Sequence, residues 1–315
     1  MIYITLFIVS IILTYGIRSY ALKKSVLDIP NERSSHTVPT PRGGGAAIVM
    51  VFYMGLFYFQ ESIDSELFHA LLCGMPVALI GLLDDIFTLS SRIRFLIQSI
   101  SAGMALYFLG GVNSIDFVLF ELQGWWLNIL AFFAIVWLTN LYNFLDGIDG
   151  YAGSEAVTAG LGLFLLFGHP LGLVIVAASV GFLLFNWHRA SIFMGDIGST
   201  TLGFIFGVFV FADTGDGSIY VWLVLLSLFW FDATLTLLRR YLNGERISQA
   251  HKKHAYQRLV QSGWPHDKVA GYAVMFNLLF LGLLYYVDNI LIVFVLNILC
   301  LVGIIKFIET RKGFV

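Results

Sequence analysis

Charge is what this sequence has least of. Asp, Glu, Lys and Arg make up 12% of its residues, where soluble domains carry about a quarter. So little charge cannot clothe a water-facing surface, which excludes an ordinary soluble enzyme. A net charge of −2 says little about partners, and no nucleic-acid partner is expected. Cysteine is nearly absent. Cys73 and Cys300 both lie in apolar runs as small core or lipid-facing residues, and neither a disulfide nor a thiolate metal site is expected. Repeats, low-complexity tracts and a soluble domain are missing too.

What the chain has is apolar length. Hydrophobic residues make up 58% of it and the mean hydropathy is +0.85. Apolar runs recur from end to end, each near the roughly 20 residues that a membrane helix needs. They fall at 2–19, 44–59, 67–83, 95–110, 125–141, 151–167, 171–187, 200–212, 219–238, 269–287 and 290–307. The expectation is an all-α polytopic membrane protein of about eleven transmembrane helices, one domain over 1–315. The eighth run is short and is expected to borrow from 213–217. The first lacks a basic start and a small-residue cleavage site, and Lys23 and Lys24 follow it, so it is expected to be retained.

Basic residues are missing from one whole set of loops. With the N-terminus outside, the inner loops are 20–43, 84–94, 142–150, 188–199 and 239–268. All 18 Lys and Arg fall in these, in the C-terminus or at the inner ends of adjoining spans. The outer loops hold Glu61, Asp64, Glu66, Asp116, Glu121, Asp213, Asp216 and Asp288, without one Lys or Arg. Cytoplasmic loops collect basic residues, so the N-terminus is expected outside and the C-terminus in the cytoplasm.

Carboxylates gather at the inner edge. Residues 140–150 read N-L-Y-N-F-L-D-G-I-D-G between two apolar runs. Asp146 and Asp149, three apart, share one face of a helical turn, and Gly147 and Gly150 let the backbone bend or a ligand approach. The stretch holds no basic residue, so these charges need a distant partner or a bound cation. Asp84 and Asp85 end the third run, where a helix C-terminus disfavours anions; Arg92 and Arg94 are the structural alternative, as ion-pair partners. Asp196 precedes Ser199 and Thr200, as an N-cap of the eighth helix, a metal ligand or both. Five carboxylates from three loops, with Asn140 and Asn143 beside them and no thiolate, suit a hard cation, Mg²⁺ or Mn²⁺.

The remaining inner loops suit anions. Residues 28–45 hold three prolines and the glycines 43–45, which exclude a long helix. Arg33, His36 and Arg42 could face an anion there, and glycine N–H groups can cradle phosphate. The last inner loop carries Arg239, Arg240 and Arg246, then H-K-K-H-A-Y-Q-R-L at 251–259. Its histidines have no matching Cys or His for zinc and fit a polyanion better. Asp232, deep in the ninth run, is expected to pair with Arg239, and Glu155 suits the start of the sixth helix. A cation and phosphates at a membrane surface point to phosphoryl chemistry on a lipid.

The same motifs carry a family resemblance. Residues 140–153 resemble the N-x-x-N-x-x-D-G-I-D-G-L-A-G signature of the polyprenyl-phosphate N-acetylhexosamine-1-phosphate transferases. Residues 81–85 are similar to that family's G-x-x-D-D, 192–199 to its I-F-M-G-D-x-G-S, and 28–45 to its first cytoplasmic loop. Residues 251–259 resemble its last-loop histidine motif. There are two departures: Lys253 stands where many members have a histidine, and His188-Arg189 where prolines are common. The H-x-x-H-A-Y-Q form and compact length look like the subgroup that starts O-antigen or capsule chains.

The resemblance implies a UDP-N-acetylhexosamine and undecaprenyl phosphate meeting, among membrane lipids, at the cytoplasmic face of a bacterial inner membrane. The lipid phosphate attacks the β-phosphorus and UMP leaves. It implies Asn143 and Asp196 as Mg²⁺ ligands, Asp146 and Asp149 at the nucleotide end, and Phe193 stacked on uracil. Asp84 and Asp85 would lie near the lipid phosphate, with Asp85 the weaker bet as base, since a phosphate whose second pKa is near 6 is mostly ionised already. His251, Lys252, His254 and Arg42 would neutralise phosphates, with Gly44, Asn140 and Lys253 completing the substrate contacts. The sugar stays open between GlcNAc, FucNAc, QuiNAc and GalNAc, and so does the oligomeric state. A transporter is the alternative, but its site would lie near the midplane, where Asp232 is the one deep acid. An alcohol phosphotransferase would need D-G-x-x-A-R, which is absent.

Overall fold

The computed structural model describes residues 1–30, 36, 38–246, 249 and 251–314. Arg33, one of the anion-facing candidates, lies outside the described residues. The helices are α1 Ile2–Lys24, α2 Gly45–Tyr58, α3 Ser65–Leu72, α4 Gly74–Phe87, α5 Ser91–Phe108, α6 Leu127–Phe144 and α7 Tyr151–Phe167. They continue with α8 Pro170–Asn186, α9 Gly195–Ala212, α10 Ser218–Leu225, α11 Ser227–Leu242, α12 Ala255–Gln261, α13 His266–Tyr286 and α14 Ile290–Arg311. The chain is predominantly helical, as expected, and every apolar run became a helix or a helix pair.

Among the described residues, length and apolar composition mark six candidate membrane crossings: α1, α3 with α4, α6, α9, α13 and α14. The pair α10–α11 makes a seventh if it is one span, although it is bent by 77°. Such a break frees backbone groups that lipid cannot satisfy; here Trp230 Nε1–H donates to the Leu223 carbonyl across it, at 2.7 Å. α2, α7 and α8 are shorter apolar helices. The eighth run corrects the expectation for its ends. Its helix begins at Gly195, and at Asp213 the backbone turns extended, so nothing is borrowed from 213–217.

α9 is the axis of the bundle. It is the most buried of the six crossings, 83% against at most 44% for the others, and packs on α2, α4, α5 and α6. Small residues make this approach feasible. A Cβ on Gly203 would stand 2.8 Å from that of Tyr142, and one on Gly207 3.2 Å from the Ile135 Cα. Buried polar side chains pin the outer helices: Ser10 donates to the Ala178 carbonyl at 2.6 Å, and Asn277 donates to Glu155 at 2.6 Å and Thr158 at 2.9 Å.

Two hairpins complete the fold. β1 (Leu27–Asp28) pairs antiparallel with β2 (Thr40–Pro41), with Leu27 opposite Pro41. β3 (Ser114–Asp116) pairs with β4 (Glu121–Gln123). The first closes the base of the proline-rich loop and aims its exit into α2. The Pro41 carbonyl then accepts from Phe193 N–H at 2.8 Å, which ties this hairpin to the loop before α9.

Candidate active site

The site is built around the N-terminus of α9. A helix start leaves its first N–H groups without intrahelical acceptors. Asp85 of α4, only 3% exposed, accepts from Asp196 N–H at 3.0 Å and Ile197 N–H at 3.2 Å. The cap of α9 is thus a carboxylate from another helix, and Asp196 lies in the first turn instead of capping it. Glycine makes the approach feasible. Gly195 has φ +77°, and a Cβ on it would stand 2.5 Å from Asp85 Oδ2. Gly81 lets α4 lie against the Asp196–Ile197 backbone, and Gly45 lets α2 cross at Gly198.

The Asp196 carboxylate is reached from two sides. Its Oδ1 accepts from Asn143 Nδ2 at 2.9 Å and its Oδ2 from Arg94 Nη1 at 2.5 Å. The same Arg94 nitrogen donates to Asp84 Oδ2 at 2.8 Å, while Asp84 Oδ1 accepts from Leu89 N–H. One guanidinium nitrogen therefore sits between two carboxylates from different helices. Arg94 as partner of Asp84 was foreseeable; its reach to Asp196, 102 residues away, was not. Asn143 Nδ2 also donates to Ser199 Oγ at 2.9 Å, and that hydroxyl gives its own proton to the Gly195 carbonyl at 3.0 Å. Ser199 needs a donor there, so Asn143 turns its NH₂ towards Asp196. The carbonyl oxygen expected to bind Mg²⁺ is the other end of the amide.

Asp146 and Asp149 end differently despite equal chemistry. Burial, then the charges of Asp196, Asp85 and Asp149, push the Asp146 carboxyl up to about 8, so it holds its proton at neutral pH. Burial would raise Asp149 too, but hydrogen bonds from His266, His188 and Ala190 N–H outweigh it and hold Asp149 below the usual carboxylate range. Asp149 Oδ2 lies 2.8 Å from His188 Nδ1, 3.3 Å from His266 Nδ1 and 3.2 Å from Ala190 N. Asn186 ties this turn to the loop before α9: its Oδ1 accepts from Gly150 N–H at 3.1 Å and its Nδ2 donates to the Ile192 carbonyl at 2.9 Å. Sequence reasoning passed over Asn186, His188 and His266. His188 was visible only as a departure from proline.

The anion-binding expectations fare unevenly. Gly44 and Gly45 do not offer free N–H groups; these donate to the Phe193 and Met194 carbonyls at 2.9 and 2.8 Å. Asn140 is turned away to Gln98 Oε1 at 2.8 Å and the Val136 carbonyl. Arg42 is half-buried, close enough for its charge to act on Asp85, and its Nε has no partner among the described residues. Phe193 is half-buried, its ring edge-on to His36 at 4.8 Å.

In the last inner loop His254, buried, precedes α12, and Asp232 anchors that helix by accepting from Ala255 N–H at 2.8 Å. His254 Nδ1 lies 3.6 Å from Asp232. The expected Asp232–Arg239 pair does not form, because Arg239 reaches Glu309 at 2.5 Å instead. Burial, then the charges of His254 and Arg240, hold His251 down to about 4, so it is neutral at pH 7 and adds no charge for a phosphate. Lys253 is engaged by Glu245 at 2.8 Å. Lys252 is half-buried, and its carbonyl accepts from Gln261 at 2.7 Å.

Comparison with known proteins agrees with this architecture. The family model Glycosyl transferase family 4 matches residues 67–213, which hold Asp84, Asp85, Asn143, Asp146, Asp149 and Asp196. A probable undecaprenyl-phosphate N-acetylglucosaminyl 1-phosphate transferase of Bacillus subtilis is 32% identical over 82% of this chain and 78% of its own length. The undecaprenyl-phosphate alpha-N-acetylglucosaminyl 1-phosphate transferase of Thermotoga maritima is 27% identical over 97% of both chains. A decaprenyl-phosphate N-acetylglucosaminephosphotransferase of Mycobacterium tuberculosis is 28% identical over 84% of this chain and 76% of its own length. With its five motifs in order and its helices as expected, the chain belongs to the polyprenyl-phosphate N-acetylhexosamine-1-phosphate transferases of glycosyl transferase family 4.

Proposed function

We propose that this protein transfers N-acetylhexosamine 1-phosphate from a UDP-sugar to undecaprenyl phosphate, releasing UMP and starting a lipid-linked O-antigen or other cell-envelope glycan. The observation that carries the reading is the junction at α9, where Asp84, Asp85, Asn143 and Asp196 from three separate helices come together, Asp84 and Asp196 sharing one cationic nitrogen, Asp85 on the α9 amides and Asn143 on Asp196. We further propose eleven crossings of a bacterial inner membrane, the N-terminus outside, and the acids and basic loops facing the cytoplasm. The segregation of all Lys and Arg supports that orientation.

In this reading a lipid phosphate oxygen attacks the β-phosphorus of the UDP-sugar in line, a new P–O bond forms, and the bond to the UMP phosphate breaks. Such transfers rest on positioning and charge neutralisation. Asp84 and Asp196 have the oxygen donors and the spacing to hold Mg²⁺, since they already share a cation. When bound, the ion supplies charge neutralisation for the phosphates. Arg42, whose Nε has no partner among the described residues, and Lys252 take phosphate oxygens, Asp149 lies at the nucleotide end, and Phe193 stacks on the base. An apolar cavity of about 800 Å³ among α11–α14, walled by Tyr256, Phe276, Leu279 and Ile304, suits an isoprenoid chain. Tyr256 leads from it to the acidic turn, donating to the Phe144 carbonyl at 3.0 Å.

The relatives' names make UDP-GlcNAc the first donor to test, ahead of FucNAc, QuiNAc and GalNAc nucleotides. Purified protein in lipid nanodiscs with undecaprenyl phosphate should release UMP and yield a sugar-diphosphate lipid by mass spectrometry. Asp196→Asn should abolish both while thermal unfolding stays near wild type. A transporter would move UDP-sugar without UMP release, and that result would end the transferase reading.

A further inference from the structure

The three residues around Asp149 are more than a hydrogen-bond set. Asp149 comes from the turn between α6 and α7, His188 from the loop after α8, and His266 from the first turn of α13. Asp149 Oδ2, His188 Nδ1 and His266 Nδ1 all lie within 4.8 Å of one another. The carboxylate oxygen is 2.8 Å from one imidazole nitrogen and 3.3 Å from the other. Ligands of a tetrahedral zinc ion, bound at about 2.1 Å, stand about 3.3 Å apart.

His266 Nδ1 faces both Asp149 N–H and Asp149 Oδ2, at 3.3 Å each, and can serve one of them at a time. A bound ion would take that nitrogen's lone pair in place of the amide.

The geometry points to a zinc-class divalent ion bound by Asp149 Oδ2, His188 Nδ1 and His266 Nδ1, separate from the hard-cation junction at Asp84 and Asp196. Two imidazoles and one carboxylate select a borderline ion over Mg²⁺, which prefers oxygen alone. Three protein ligands leave the fourth position open. Asp149 and His266 are buried while the His188 side chain is 28% exposed, so an ion enters past His188. Asn186, which fixes Gly150 and Ile192, holds two of the ligand-bearing loops in register. This inference does not depend on the transferase reading.

The test uses the full chain in nanodiscs, stripped with a chelator and dialysed against micromolar Zn²⁺ with millimolar Mg²⁺ present. Wild type should retain one zinc per chain, with X-ray absorption showing two imidazoles in its shell. His188→Ala should weaken zinc binding by more than about 100-fold, since removing a ligand exceeds the 10–100-fold cost of an outer-shell loss. Asp196→Asn should keep the zinc. The absorption spectrum of wild type needs no variant, so a failure of His188→Ala to fold does not shield the idea. No stoichiometric zinc, a shell without imidazole, or equal binding by His188→Ala overturns it and leaves a hydrogen-bonded cluster that orients Asp149.

Discussion

A single methyl group at Gly81 should slow this enzyme without unfolding it. A Cβ there would stand 2.7 Å from Ile197 Cα and 2.8 Å from the Asp196 carbonyl carbon and oxygen. These are backbone atoms, which cannot swing aside like the end of a side chain. Ordinary contact begins near 3.4 Å, so the start of α9 must retreat by about 0.7 Å from α4. Overpacking of this kind costs about 1–3 kcal/mol, offset by about 1 kcal/mol from the better helix propensity of alanine. The net loss of stability is about 0–2 kcal/mol, less than the 5–15 kcal/mol that typically holds a domain folded. Asp196, however, is carried on the segment that moves, and the Asp85 clamp stretches with it. A misplacement near 1 Å can cost about 100-fold in rate, so Gly81→Ala should lose on the order of 10- to 100-fold in UMP release. Gly103→Ala, in α5 with nothing within 4 Å of the added Cβ, is the control and should match wild type in rate. The measurement is UMP release in nanodiscs beside thermal unfolding. Full activity in Gly81→Ala at unchanged stability would refute the packing of α4 on α9 from which the argument starts.

Other outcomes follow from the same geometry. Arg94 Nη1 occupies the gap between Asp84 and Asp196, so it competes with a divalent ion for that position. Arg94→Gln should tighten Mn²⁺ binding about tenfold by electron paramagnetic resonance, and weaker binding would show that the arginine supports the ion instead. Asp146 holds its proton near neutral pH because of burial and three neighbouring carboxylates. Mn²⁺ binding at pH 7 should therefore expel close to one proton, read by calorimetry in two buffers of different ionisation enthalpy, and Asp146→Asn should remove that release. His251 is held to about 4 when folded, below its unfolded value near 6.5. Between those values the unfolded chain binds the proton that the folded protein refuses, so stability falls as pH drops from 6.5 to 4. His251→Asn should flatten part of that slope in a thermal-unfolding series.

Much of this was legible in the sequence, for definite reasons. Hydrophobic length marks helices directly, and each run became a helix or a helix pair. The carboxylates were legible because a charge at the hydrocarbon edge is costly and so rarely accidental. What could not be read were contacts across long sequence separations. Arg94 meets Asp196 and Asp149 meets His266 only because α5, α6, α9 and α13 bring their ends together. Local spacing also misled. Seven residues put Asp232 and Arg239 on one face, yet Asp232 was claimed by the start of α12 and Arg239 by Glu309. Gly44 suggested a phosphate cradle, but its N–H is taken up in pairing with the loop before α9.

The electrostatics of the junction argue for a mobile cation on their own. Asp84, Asp85 and Asp196 converge where two anionic substrates would have to meet. Asp85 is answered by the amides of α9, and Asp84 and Asp196 by one arginine between them. Beyond Arg42 and Lys252 little in that balance is left over for a diphosphate, since His251 is neutral and Lys253 is paired. An acid-lined cleft would repel both substrates unless positive charge arrived with them. A divalent ion held by Asp84 and Asp196 would supply that charge and would leave Arg94 to a phosphate, which makes Arg94→Lys the sharper variant. Lysine keeps the charge but loses the planar fork that can turn from carboxylate to phosphate. Arg94→Lys should therefore keep its Mn²⁺ affinity within a few-fold of wild type yet lose UMP release nearly as far as Arg94→Gln. Equal rates for Arg94→Lys and wild type would mean that charge alone, and no such exchange of partners, is what the cleft requires.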